Sequence, residues 1–176
     1  MADRAVTPFE QAVVPHMDAA YTLARCLLRD EDEARDAVQD AYLRALAYFG
    51  GFRGGDGRAW LLTIVRNTCL TRHQRARSAP GTAPFDEELH SPDGEDANAA
   101  AAAADLVPAE SVREAVGRLP FEFREVVVLR EVHGYSYKEI ASVTGVPVGT
   151  VMSRLARARQ RLRDALAPEI RRRTSA

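Results

Sequence analysis

Arginine and hydroxyl side chains near the C-terminal end form the pattern in this chain best suited to chemistry, namely hydrogen bonding to a polar or anionic ligand. From Val151 onward, apolar residues recur with helical spacing and predict a buried face. The residues left to solvent or a ligand are Ser153, Arg154, Arg157, Gln160 and Arg161, and Thr150 lies just before them. Arginine and hydroxyl groups bond to phosphates and base edges. The alternative is a helix whose arginines are only solvated.

The residues before this helix predict a helix-turn-helix. Ser136 and Glu139 have the spacing of a capping box, which would start a first helix. Ala141 suits the crossing of two helices and Gly145 suits the turn between them. Pro147 is expected in the first turn of the second helix.

An enzyme or a metal site is not expected. The histidines, His16, His73, His90 and His133, are scattered, and the chain contains no metalloprotease, nucleophile-elbow or Walker-type motif. Cys26 and Cys69 lie in helical patterns without metal-ligand spacing, so each is predicted to be a buried reduced thiol. We therefore predict no catalytic residue, no cofactor, no metal and no small-molecule substrate.

The net charge of −1 conceals a segregation along the 176 residues. Eight of the 25 acidic residues lie between Ser78 and Glu110, where no lysine or arginine occurs. The remaining 17 acids face 24 basic residues, so the flanking segments are jointly positive, as expected of a protein that meets phosphates. The apolar runs are too short to span a membrane and no leader pattern opens the chain, which predicts a cytoplasmic protein without membrane insertion.

Helical periodicity without sustained β alternation predicts an all-α fold of two small helical domains joined by a flexible acidic linker. The boundaries are 1–77, 78–110 and 111–176, and the linker is rich in proline, glycine and alanine. In the first domain one apolar stripe comprises Phe9, Val13, Met17, Ala20 or Tyr21, Ala24 and Leu28, and a second comprises Ala34, Val38, Ala41, Ala45 and Phe49.

A glycine-rich break at 50–57 precedes a helix from about Arg58 to Arg77 that ends in basic residues. In the last domain a short helix should end at Leu119-Pro120. The next helix should turn Phe123, Val126, Leu129 and Val132 inward and stop at Gly134.

Three motifs together resemble the extracytoplasmic-function (ECF) sigma factors of bacterial RNA polymerase. They are DEDEARDAVQDAYLRAL at 30–46, FRG followed by WLLTIVRN within 52–67, and the long stretch LPFEFREVVVLREVHGYSYKEIASVTGVPVGTVMSRLARARQRL at 119–162. The resemblance implies that the first domain binds the polymerase clamp and melts the minus-ten element. It implies that the last domain reads the minus-thirty-five element and touches the polymerase flap.

The resemblance also assigns roles to residues of the first domain. Asp36, Gln39 and Asp40 match the polar face offered to the clamp, with a solvated helix face as the alternative. Phe52 and Arg53 fall in the loop that captures an unstacked base, and Asn67 matches a polar contact near it. Trp60 either supports that pocket or packs in the core. Arg72 and Arg75 are assigned to minus-ten DNA, although basic residues there also suit the helix dipole.

In the last domain, Thr150, Ser153, Arg154 and Arg157 are the expected minus-thirty-five contacts. Met152 and Ala156 depart from the family pattern, so the sequence of that element does not carry over. The resemblance further implies control by a separate anti-sigma factor. The competing hypothesis is a free-standing repressor or activator, which would bind a symmetric operator tightly without polymerase.

Overall fold

A computed structural model describes residues 7–78 and 107–174, and every regular element in these two ranges is helical. The helices are α1 Pro8–Val13, α2 Met17–Leu28, α3 Glu31–Tyr48, α4 Gly57–Arg77, α5 Ala109–Arg118, α6 Phe121–Val127, α7 Tyr137–Thr144 and α8 Val148–Thr174. The chain forms two compact units: the first contains α1–α4, and the second contains α5, α6, most of α7 and α8. This confirms the all-α prediction. Most of the expected acidic linker, residues 79–106, lies outside the described residues.

The first apolar stripe is split between two helices, contrary to the expectation of one continuous helix. A 3-10 turn, Val14–His16, separates α1 from α2. It contains Pro15, which has no backbone N–H and clashes with the preceding turn of an α-helix. The break also rotates the buried face, so that Leu23 and Leu27 are buried while Met17 and Leu28 are half-buried.

Helix α3 begins where its acidic residues predict. The Asp30 side chain caps it by accepting a 2.8 Å hydrogen bond from the Glu33 backbone N–H. The first turn carries Glu31, Asp32 and Glu33, whose negative charges interact favourably with the positive end of the helix dipole. Its buried face is small, comprising Ala34, Ala37, Val38, Ala41 and Ala45. These short side chains let α2 and α4 pack closely against α3. Phe49 lies just past the helix, half-buried in the 3-10 turn Phe49–Gly51.

The glycine-rich segment positions the start of α4. Gly54 and Gly55 have φ values of 83° and 102°, which side chains other than glycine rarely adopt. Asp56 then caps α4 by accepting from the Ala59 N–H at 3.1 Å. Gly57 is buried, and a Cβ there would lie 2.5 Å from the Ala12 carbonyl oxygen. Close packing of α4 against α1 therefore requires glycine at this position.

The second unit contains an irregularity that the sequence pattern did not predict. Helix α6 continues as a π-helical turn, Val128–Val132. The wider turn shifts the following residues around the axis, so Val132 is 55% exposed and the prediction that it faces inward is wrong. Phe123 is only half-buried, whereas Phe121, Val126 and Leu129 are buried as the core of this helix. Gly134 follows with a φ of 73° and ends the element as expected.

The helix-turn-helix forms through the predicted local signals. Ser136 accepts a hydrogen bond from the Glu139 N–H at 3.3 Å while Glu139 Oε2 accepts one from the Ser136 N–H at 2.7 Å, completing the capping box. Gly145 ends α7 with a φ of 72°. Pro147 lies immediately before α8 rather than in its first turn, and its carbonyl accepts from the Val151 N–H at 3.1 Å.

Candidate nucleic-acid interface

Helix α8 is anchored by an ion pair between Arg154 and a carboxylate of α6. Arg154 Nη1 donates to Glu125 Oε1 at 3.2 Å; the Glu125 side chain is fully buried and that of Arg154 is 22% exposed. Arg154 lies three residues after Val151 and four before Ala158, both fully buried, so it borders the packed face of α8. A buried carboxylate requires a positive partner or hydrogen bonds. Arg154, which was expected to be left to solvent or a ligand, is therefore partly buried and bonded within the domain.

The outward side of α8 carries the remaining predicted contacts. Ser153 is exposed and its Oγ donates to the Thr150 carbonyl at 3.0 Å, while Thr150 and Arg157 are half-buried. Two apolar residues share the exposed surface: Val148 is 37% and Met152 is 53% exposed. Sequence reasoning did not include these two among the contacts. For Met152, its position one residue after buried Val151 was the available signal.

Other basic residues of the second unit also bind within it. Arg159 Nη2 donates to Glu131 at 2.8 Å, and this hydrogen bond raises the pKa of Arg159. The guanidinium of Arg161 lies 4.9 Å from the Phe123 ring centroid, at cation–π distance. Arginines on this helix therefore hold the domain together in addition to supplying positive charge.

In the first unit, Phe52 joins an aromatic cluster instead of standing alone in its loop. Its ring centroid lies 5.0 Å from that of Trp60 and 5.6 Å from that of Phe49, with which it is stacked. Phe49 in turn meets Phe9 edge-on at 5.3 Å, and Phe9 meets Tyr42 at 5.3 Å. Trp60 is half-buried and contacts Phe52, so it lies at the edge of the core and beside the candidate pocket.

The polar residues assigned to minus-ten DNA are spread around this cluster and along α4. Arg53, Asn67 and Arg75 are exposed. Asn67 Oδ1 accepts a hydrogen bond from Arg66 at 3.2 Å. The structure thus leaves Arg53 and Arg75 at the surface, where a phosphate could be contacted.

Arg72, by contrast, is turned toward α3. Its Nη2 donates to Asp40 Oδ2 at 2.6 Å. This hydrogen bond, with the negative charges of Asp40, Asp36 and Glu33, raises the pKa of Arg72. A residue assigned to DNA therefore contacts a residue assigned to polymerase.

The exposed face of α3 combines polar and apolar side chains. Asp36 and Gln39 are exposed and Asp40 is half-buried. One turn further along, Leu43 and Leu46 are more than half exposed, which is unusual for leucines on a helix that packs in a core. These two leucines were missed by sequence reasoning and extend the face toward the end of α3.

The two cysteines differ from each other. Cys69 is buried as predicted, and burial raises its pKa to about 12 despite the nearby charge of Arg72. Cys26 is only half-buried, so the prediction of a buried thiol is wrong there. Within 7–78 and 107–174, no group of three or more His, Cys, Asp or Glu is placed to hold a metal ion. None of the helices in those ranges is long and apolar enough to cross a membrane.

Comparison with known protein families finds one match in each of the two units. Residues 12–79 match Sigma-70 region 2, and residues 109–162 match Sigma-70, region 4. The ECF RNA polymerase sigma factor SigM of Mycobacterium tuberculosis is 39% identical over 155 residues, which cover 88% of this chain and 74% of that protein.

Two solved structures also resemble the chain. The sigma factor RpoE from Bartonella quintana, crystallised with the anti-sigma factor NepR, matches with a TM-score of 0.70 at 27% identity. The match covers 90% of this chain and 96% of the RpoE chain. CnrH, solved with the cytosolic domain of CnrY, has a TM-score of 0.63 at 29% identity, with coverages of 91% and 88%. Proteins of this family regulate transcription. The chain belongs to the ECF subfamily of sigma-70 factors, which direct RNA polymerase to initiate transcription at specific promoters.

Proposed function

We propose that residues 1–77 bind core RNA polymerase and the minus-ten element, that residues 111–176 read the minus-thirty-five element, and that 78–110 connect them as an acidic linker. The observation that carries this proposal is the helix-turn-helix of α7 and α8, whose second helix leaves Ser153 exposed and Thr150 and Arg157 partly so. A helix placed this way can enter a major groove and present side chains to base edges.

The polymerase contact is assigned to the outward face of α3. Asp36, Gln39 and Asp40 supply acceptors, and the exposed Leu43 and Leu46 supply apolar area beside them. A patch of apolar residues bordered by polar ones is typical of a protein interface. We assign the polymerase clamp to this face and the polymerase flap to the last domain.

The minus-ten contact is assigned to the aromatic cluster and its surroundings. Phe52 rests on Trp60 and Phe49 while remaining half-exposed, so a flipped base could stack on its open side. Arg53, Asn67 and Arg75 are exposed and can bind the DNA phosphate backbone or base edges. Arg72 can do so when its hydrogen bond to Asp40 breaks. Stacking and these hydrogen bonds would offset the cost of unpairing the base.

The minus-thirty-five contact is assigned to Thr150, Ser153 and Arg157, with a changed role for Arg154. Because Arg154 is bonded to buried Glu125, it supports the edge of this surface and fixes α8 against α6. Its partial exposure leaves it able to touch a phosphate from that edge.

Two further partners follow from the family. The structural neighbour RpoE was solved with its anti-sigma factor NepR, and we propose that a protein of that kind restrains this factor too. Because promoter DNA and polymerase are cytoplasmic in bacteria, we propose that this factor acts there. It performs no covalent chemistry, and the polymerase supplies catalysis.

Reconstitution with purified bacterial core polymerase tests the proposal. The holoenzyme should initiate on a genomic template at a restricted set of starts, whose upstream sequences share two elements. Core polymerase alone provides the background, and the free factor should bind the same fragments weakly. Tight, dimeric binding of the free factor to a symmetric site, with no effect on initiation, would support the repressor hypothesis instead.

A further inference from the structure

The first two turns of α8 present apolar side chains where a DNA-reading helix usually presents polar ones. Val148 and Met152 are separated by one turn, and both are large apolar residues that remain substantially exposed. Gly149 between them has open space around its Cβ position among the residues that the structure describes. Two exposed apolar side chains one turn apart form a small apolar patch that a partner could cover.

These two turns also lack a positive side chain that is available for reading. Residues 148–154 contain a single basic residue, Arg154, and its guanidinium is bonded to buried Glu125. Arginine is the residue that most often recognises guanine. The N-terminal end of a recognition helix is the part that contacts bases in helix-turn-helix proteins, so here the hydroxyls of Thr150 and Ser153 and the apolar side chains of Val148 and Met152 are what this end offers to bases.

The major groove offers one apolar feature, the C5-methyl group of thymine. Met152 is unbranched and flexible, and it can adapt its thioether to such a methyl group. We propose that Met152, assisted by Val148, recognises thymine methyl groups in the minus-thirty-five element. This inference rests on the proposed function, because it requires α8 to lie in the major groove of that element.

Replacing thymine by deoxyuridine tests the contact directly, because the two bases differ only in the methyl group. Templates would carry a minus-thirty-five element defined by the mapped starts, with each thymine of either strand substituted in turn. Holoenzyme binding should weaken about fourfold at one or two of these positions, the effect of losing one buried methyl contact. The remaining positions should show no change.

Variants then attribute the effect to a side chain. Met152→Ala should bind the thymine template less tightly and should no longer distinguish it from the deoxyuridine template. Met152→Gln, whose side chain has a similar length but is polar, should behave similarly. Val132→Ala is the matched control, since Val132 is equally exposed in the same unit but lies outside α8, and it should retain the full difference.

Three results would overturn the inference: no sensitivity to any deoxyuridine, an undiminished sensitivity in Met152→Ala, or a loss of holoenzyme assembly in that variant. The last would show that Met152 contacts polymerase. Failure of the wild-type factor to direct initiation at all would contradict the proposed function itself. Selective initiation without methyl sensitivity would contradict only the role of Met152.

Discussion

Arg72 of α4 donates a 2.6 Å hydrogen bond to Asp40 of α3, joining the basic end of one helix to the acidic face of the other. Both side chains are partly exposed, so solvent screens the pair and its contribution to stability is modest. Its position is more informative than its strength. It lies where the surface proposed for polymerase adjoins the surface proposed for DNA.

A double-mutant cycle should show coupling between these two residues. Asp40→Asn and Arg72→Gln should each lower the free energy of unfolding, and together they should lower it by less than the sum, with a coupling of about 0.2–1 kcal/mol. Urea denaturation followed by circular dichroism measures it, and added salt should reduce the coupling. Asp32→Asn removes an equal charge from an exposed pair with Arg35 and should change the free energy of unfolding little. Strict additivity would mean that the pair does not persist in solution.

The exposed face of α3 should be required for holoenzyme assembly. Asp36→Ala combined with Gln39→Ala should weaken binding to core polymerase about tenfold or more, since each lost interfacial contact costs on the order of 1 kcal/mol. Fluorescence anisotropy with labelled factor measures the affinity. Because both residues are exposed, thermal stability should be retained. Assembly at the wild-type affinity would remove these two residues from the polymerase interface.

Arg154 and Arg157 should have separable roles. Arg154→Ala removes a positive partner that lies 3.2 Å from the buried carboxylate of Glu125 and should destabilise the second domain by about 3–5 kcal/mol. Adding Glu125→Gln in that background should recover part of the loss, because the buried group is then neutral. Urea unfolding of the variants provides the comparison. No loss in Arg154→Ala would mean that the buried pair is unimportant.

Arg157→Ala should instead leave stability nearly unchanged and weaken promoter binding by about 1–3 kcal/mol if it contacts a base. Holoenzyme binding to wild-type and altered minus-thirty-five elements measures this. An unchanged preference in Arg157→Ala would exclude a role in reading bases.

Phe52→Ala should impair promoter opening more than promoter binding. Removing a stacked aromatic ring costs about 1–3 kcal/mol per base, which corresponds to a roughly fivefold or greater loss of open complex. Permanganate reactivity of unpaired thymines reports opening, and a template with a preformed bubble should restore initiation. Phe9→Leu, within the same aromatic cluster but buried, is the control for altered packing. A defect that the bubble does not rescue would place Phe52 in a structural role.

The two cysteines should react at different rates. Burial raises the pKa of Cys69 to about 12, so its nucleophilic thiolate is scarce near neutral pH. Iodoacetamide at pH 8 should modify half-buried Cys26 first and reach Cys69 only on unfolding, as mass spectrometry can show. The unfolded thiol ionises at a lower pH than the folded one. The contribution of the protonated Cys69 thiol to the free energy of unfolding is therefore complete at neutral pH. It declines as pH rises above about 8.5 towards 12. Cys69→Ala should lack this decline.

Local features could be predicted from the sequence because they depend on neighbouring residues. The cap at Ser136, the stop at Gly145, the acidic start of α3 and the glycine break before α4 all depend on backbone hydrogen bonds or dihedral angles within a few positions. The same holds for the helix-turn-helix, whose motif is continuous. The sequence therefore determined the helical class, the order of the motifs and the family that they resemble.

Tertiary packing decided which side chains meet. Arg154 is separated from Glu125 by 29 positions and Arg72 from Asp40 by 32, and no local spacing indicates either pair. The π-helical turn changed the face on which Val132 lies, and Pro15 changed the face of the first stripe. The partner of a side chain on the border between packed and exposed faces depends on which residues the neighbouring helix places beside it. The role of an arginine in α8 is consequently settled by the burial of a carboxylate in α6, which only the folded chain brings within reach.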